Sequence, residues 1–180
     1  MVTMRLIGEK VTDLICKKFG VREKCRTRDE PLPGAEREVD VLELAEKYGL
    51  PPRVVERIVH RHGCRAEKIL KYMEDKPEWK STICTCEPVV EAEIRYVLRE
   101  EFARTIDDVK RRTRLGMGPC QGCFCTFKVA YIVSDELKLS VKATHKLVLD
   151  FLRERWKGKQ SVLRCYQMGQ EELAQSIYMM

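Results

Sequence analysis

Residues 84–125 read CTCEPVVEAEIRYVLREEFARTIDDVKRRTRLGMGPCQGCFC, and this stretch decides how the rest of the chain is understood. At its ends stand Cys84-Thr85-Cys86 and, after 33 intervening residues, Cys120-Gln121-Gly122-Cys123-Phe124-Cys125. Between them Pro88 is placed to open a helix at its first position, with Val90, Ile94, Val97 and Leu98 along one face. Thr105, followed three residues on by Asp108, has the form of a capping box for a second, short helix. That helix gives way at Leu115-Gly116-Met117-Gly118-Pro119, a loop leading into the second cysteine group. Both groups are therefore expected in loops that precede helices, where free backbone N–H groups and the helix dipole stabilise thiolates.

Nine cysteines are an odd number, and in a chain that reads as intracellular they argue for metal ligation or plain thiols over a disulfide framework. Five of them in two tight loop clusters point to metal. Structural zinc usually draws its four thiolates from pairs spaced two to four apart, so the single-residue gap in Cys84-Thr85-Cys86 favours an iron-sulfur cluster, with zinc the alternative. An oxidised four-thiolate 2Fe-2S site carries a net charge of about −2, which the neighbouring Lys110, Arg111, Arg112 and Arg114 are placed to offset. Cys84 and Cys86 supply one pair. The second pair is Cys120 with Cys123 or Cys120 with Cys125, and spacing leaves both open. Cys16, Cys25, Cys64 and Cys165 are scattered singly and read as plain thiols.

Working outward, the apolar residues Ile7, Val11, Leu14, Ile15 and Phe19 recur at helical spacing up to Gly20. Residues 26–37, with Pro31, Pro33 and Gly34, read as an extended linker. Three short helices follow over 38–74, broken at Gly49-Leu50-Pro51 and at Gly63, and should form a small bundle. Beyond the second cysteine group, helices are expected over about 124–133 and 144–157, with Gly158 as the terminator. No convincing strand, hairpin turn or internal repeat is visible. The expected fold class is all-α, a small helical bundle followed by a helical cluster-binding domain. Its segments are residues 1–33, 34–80 and 81–180, the last including a helical tail.

The remaining chemistry-bearing residues read blandly. His60 and His62 fall on different faces of one helix, so a shared metal is not expected, and no Ser-His-Asp or Cys-His order stands out. Glu91, Glu93, Glu100 and Glu101 read as solvated helix faces, and Trp79 and Trp156 as packing. The net charge of +6 does not signal nucleic acid, because acidic residues surround the basic run and no aromatic interleaving accompanies it. No apolar stretch is long enough for a transmembrane helix or a signal-peptide core, so a cytoplasmic location is expected, with any membrane association arising through partners.

The 84–125 stretch resembles the bacterioferritin-associated-ferredoxin-like 2Fe-2S domain, in which a Cys-x-Cys pair and a later pair flank two helices. Its RRTRLGMGPCQG segment is most similar to the version in the C-terminal part of the anaerobic glycerol-3-phosphate dehydrogenase A subunit family. Outside it, MRLIGEKVTDLICKKFG (4–20) and CRTRDEPLPG (25–34) look like the end of that family's flavin domain and its exit linker. Residues 41–74 resemble its helical C-terminal region, and FLRERWKGKQ (151–160) its tail. The family's last pair is usually Cys-x4-Cys, so the resemblance implies Cys84, Cys86, Cys120 and Cys125 as the cofactor-binding and metal-ligating set. The ferredoxin's own Cys-x2-Cys makes Cys123 the alternative.

The function so implied is an iron-sulfur electron-transfer fragment, relaying electrons from flavin toward a quinone-linked subunit. The other reading is a zinc- or cluster-stabilised subunit-interaction module without redox role. No GxGxxG fingerprint is present, so FAD is expected only on a separate domain or subunit, and the chain is not expected to be catalytic alone. Implied partners are a flavin-containing dehydrogenase domain or subunit, together with a further iron-sulfur subunit. The chain is then either part of a longer polypeptide or a separately encoded piece.

Overall fold

A computed structural model describes residues 3–179; residues 1, 2 and 180, at the outer ends of the first and last expected segments, lie outside the described residues. It is predominantly helical, as expected. Helix α1 (Met4–Lys18) carries Lys17 and Lys18 in its last turn, complementing the negative end of its dipole. No residue of it is buried, and Ile7, Val11, Leu14 and Ile15 are exposed to solvent. An extended linker follows. It is pinned at Gly34, whose carbonyl accepts from Cys64 N at 2.8 Å. A Cβ on Gly63 would lie 1.8 Å from that carbonyl oxygen, so this crossing of chains requires glycine.

Asp40 caps α2 (Val41–Tyr48), accepting from Leu42 N and Glu43 N at 2.8 and 3.0 Å. Gly49, left-handed at φ 62°, ends it. Pro52 opens α3 (Pro52–His62), and a 3-10 turn at 63–65 leads into α4 (Ala66–Asp75). The three short helices expected over 38–74 are present, and they bury Val54, Val55 and Ile58 on α3 and Ala66, Ile69, Leu70 and Met73 on α4.

Two short strands then appear that the sequence did not announce, β1 (Thr82–Cys84) and β2 (Val89–Val90). They pair antiparallel, with Thr82 opposite Val90 and Cys84 opposite Val89. Pro88 therefore sits in a hairpin turn and opens no helix. Val90 is extended at φ −96°, ψ 160°, and α5 begins at Glu91 (Glu91–Glu100).

Helix α5 is the axis of the fold. Every residue from Ala92 to Leu98 is buried, so its polar members need partners. Arg95 bonds Glu91, Asp135 and Glu136, each at 2.8 Å, and stacks over Trp79 at 4.7 Å from the ring centroid. Glu93, expected on a solvated face, is fully buried, because α4 packs on α5 and the Arg61 and His62 side chains of α3 close over the carboxylate.

Around α5 pack α4, α6 (Ile106–Thr113), α7 (Thr126–Leu137) and, outside α7, α8 (Val141–Gln160). The Thr105–Asp108 capping box is formed as foreseen. Helix α8 runs through Gly158 without stopping, since an interior glycine costs only about 1 kcal/mol and the chain turns after Gln160. The last helix is α9 (Tyr166–Met179). One contiguous apolar core extends from Leu44 to Leu152.

Candidate metal centre

Cys84 ends β1 and is 2% exposed; Cys86 sits two residues on in the hairpin turn, half-buried. The second loop is folded by successive short bonds: Gln121 N to Gly118 O at 2.8 Å, Cys123 N to Cys120 O at 3.0 Å and Cys125 N to Gly122 O at 3.2 Å. Cys125 is the residue before α7, and Thr126 Oγ1 donates to Gly122 O at 2.6 Å. The two loops touch at Gly118, where an added Cβ would stand 2.3 Å from Cys86 Cβ. Glycine there lets the second loop lie against the first.

Four of the five clustered thiols meet in two pairs. Cys86 Sγ is 3.6 Å from Cys120 Sγ. Cys84 takes a hydrogen bond from the Cys125 thiol, which together with the backbone N–H groups of Gly116, Glu87 and Cys86 outweighs burial and pulls its thiol down to about 5. Cys125 is pushed far up by the same bond, by burial and by the charge on Cys84. In the other pair burial acts to raise Cys120, but the Gly122 and Phe124 N–H groups and the Cys86 thiol lower it. Cys86 moves up: the Cys120 backbone acts to lower it, while the bond to the Cys120 thiol, burial and the neighbouring thiolates prevail. Cys84 is thus the more acidic thiol of its pair, and Cys120 of the other.

Cys123 is exposed, on the outside of its loop. Among the four scattered cysteines Cys16, Cys25 and Cys64 are half-buried and Cys165 exposed. Cys64 donates to Glu36 at 3.1 Å and Cys25 lies 3.0 Å from Thr27 Oγ1. His62 is buried against Glu93 at 3.0 Å, far in role from any metal reading of the histidine pair.

Among the described residues no group of three or more His, Cys, Asp or Glu side chains stands ready-made around a single ion. The donor chemistry nonetheless suits a two-iron group. Two thiolates bound at about 2.3 Å to one tetrahedral metal lie about 3.8 Å apart. The 3.6 Å between Cys86 and Cys120 is close to that, and the second pair adjoins it. Loading would displace the remaining thiol protons.

Residues of the basic run have carboxylate and ring partners. Arg114 bonds Glu87 at 3.3 Å, Arg112 faces Glu101 and Asp108 at 3.6 and 3.7 Å, and Lys110 lies over Phe151. Sequence reading missed a second set of residues behind the first loop. Arg57 and Arg61 of α3 reach across to Glu87, Pro88 and Glu93. Their only signal was their recurrence four residues apart on α3, beside its apolar residues Val54, Val55 and Ile58.

No solved structure matches this chain. Over 178 residues it is 32% identical to the A1 subunit of the anaerobic glycerol-3-phosphate dehydrogenase of Haloferax volcanii, a match that covers 99% of this chain and 29% of that protein. It is 30% identical to the A subunit of the Escherichia coli K12 anaerobic glycerol-3-phosphate dehydrogenase, over 99% of this chain and 32% of that one. The corresponding A subunit of Haemophilus influenzae is 33% identical over 88% of this chain and 27% of its own length. The chain thus spans less than a third of the length of these relatives. Residues 25–144 match the family model described as the C-terminal domain of alpha-glycerophosphate oxidase, and with that segment running from the linker past both cysteine loops, the chain belongs to this family.

Proposed function

We propose that the chain is the iron-sulfur electron-transfer portion of an FAD-dependent glycerol-3-phosphate dehydrogenase, with Cys84, Cys86, Cys120 and Cys125 holding a 2Fe-2S cluster. The observation that carries this reading is the pairing of thiols from two loops 33 residues apart, Cys86 against Cys120 at 3.6 Å and Cys84 against Cys125. The cluster, when bound, supplies one-electron acceptance and release. The protein's own contribution is to gather the thiols in two pairs and to bury Cys84 and Cys125, while Cys86 and Cys120 remain half-buried toward the surface. Electrons enter from a flavin on a separate domain or subunit, then leave toward a quinone-linked iron-sulfur subunit. No residue of this chain is needed for proton transfer from substrate.

Helix α1 supports the flavin side of this reading, because its apolar face is exposed and suits packing against a flavin-containing domain. Among the described residues no helix is long and apolar enough to cross a membrane. In this reading the chain works in the cytoplasm and meets a membrane-linked acceptor through partners.

The test is purification without oxygen, followed by iron and acid-labile sulfide analysis and optical spectra before and after dithionite. About two irons and two sulfides per chain with a bleachable visible band are expected. A colourless protein with one zinc per chain refutes the relay and leaves the subunit-interaction module.

A further inference from the structure

We infer that Arg61 is a positioning residue for the first cysteine loop, and that the segment 41–75 thereby serves as part of the scaffold of the thiol site. The hairpin bearing Cys84 and Cys86 has a two-residue β2 paired to a three-residue β1, too little strand to fix two thiols by itself. What fixes it comes from α3.

The Arg61 side chain is 3% exposed, and its guanidinium makes four hydrogen bonds. Nε and Nη2 hold Glu93 at 2.6 and 2.7 Å, while Nη1 and Nη2 donate to the carbonyls of Glu87 and Pro88 at 3.2 and 3.1 Å. Those carbonyls follow directly on Cys86. The Glu87 carboxylate in turn accepts from Arg57 of α3 at 2.8 Å and from Arg114 at 3.3 Å. Arg114 stands at the entrance to the second cysteine loop, so Glu87 ties that loop and α3 to the first one. On the opposite side Gly118 presses on Cys86. The turn after Cys86 is thus held from two directions, and Arg61 supplies the buried half of the grip.

The inference rests on the electron-relay reading only for what the thiols bind; its first test needs no metal. The metal-free full chain is treated with iodoacetamide and the alkylation of each cysteine followed by mass spectrometry. Exposed Cys165 serves as the internal reference. Buried Cys84 reacts only when its loop opens. Arg61→Lys keeps the charge but loses the fork, and should speed Cys84 alkylation about tenfold relative to Cys165 while a cooperative melt persists. Should Arg61→Lys fail to fold, the paired variant Arg61→Met/Glu93→Met, which removes the grip on both carbonyls without leaving a buried charge, decides in its place, with the same rise in Cys84 alkylation expected. Lys146→Met, at an exposed pair on α8, should change nothing. In reconstituted protein Arg61→Lys should also shift the reduction midpoint of the cluster. A Cys84 rate within about twofold of the unsubstituted chain in a folded variant overturns the inference. A chain that takes up no iron-sulfur cluster refutes the relay and leaves the alkylation result standing.

Discussion

Replacing Glu93 by Gln should be among the most damaging single changes in this chain, although it alters almost no volume. Glu93 is fully buried and accepts from Arg61 Nε and Nη2 at 2.6 and 2.7 Å, with His62 Nε2 at 3.0 Å. Glutamine keeps one acceptor oxygen but turns an amide toward the guanidinium and removes the negative charge. Arg61, 3% exposed, is then a buried cation held by uncharged oxygens alone, two main-chain carbonyls and the remaining amide oxygen. Breaking a buried pair from one side costs about 3–5 kcal/mol, and no solvent screening reduces that figure here. For a chain of this length each kcal/mol moves the melting midpoint by about 2–4 °C, so a fall of about 10 °C is expected. Urea denaturation followed by circular dichroism measures the difference directly. The paired replacement Arg61→Met/Glu93→Met should lose less than Glu93→Gln alone, because it removes the stranded charge together with its partner. A loss under about 1 kcal/mol for Glu93→Gln, with an unchanged urea slope, would refute the placement of this pair in the interior.

Cys125→Ser should abolish the visible spectrum of the iron-loaded chain while Cys123→Ser leaves it, since Cys125 is buried against Cys84 and Cys123 is exposed; the reverse outcome exchanges the two ligands. Gly118→Ala puts a methyl 2.3 Å from Cys86 Cβ, so it should cost about 1–3 kcal/mol in a melt and lower cluster yield. Burial disfavours the charged form of His62, but its bonds to Glu101 and Glu93 prevail and raise it above the ordinary 6.5. Its stabilising contribution is therefore complete below pH 6.5 and is lost as pH rises through the folded value. The stability gap between the unsubstituted chain and His62→Gln should accordingly be largest near pH 6 and shrink toward alkaline pH, and a gap that widens would contradict the His62–Glu93–Glu101 contact. Val11→Glu, on the uncovered face of α1, should leave the melt of the isolated chain within about 0.5 kcal/mol.

Local signals along the chain located most of the helices, because caps and breakers act within a few residues. Asp40 and Thr105 open helices where a side-chain acceptor meets free N–H groups, and Gly49 ends one where a left-handed residue is needed. The same local rules failed at Pro88, where tertiary contacts overrode a plausible start, and at Gly158, where the helix ran through a plausible stop. Pro88 is held in a turn by Arg61, which takes its carbonyl, and Gly158 is carried along by the helix around it.

The candidate site divides in the same way. That the two cysteine loops belong together was suggested by spacing and type, and the fold does bring Cys86 against Cys120. Which of the cysteines face each other was not. Cys123 and Cys125 are equivalent as letters, and only the fold turns one outward and sets the other under Cys84. Nor does any local pattern show that Glu93, one of four similar glutamates on or beside α5, is the one covered by α3, or that Arg61 reaches past it to the turn after Cys86. Spacing along a chain fixes which side chains share a helix face; whether that face meets water or another helix depends on residues 30 positions away, and that pairing exists only once the helices have packed.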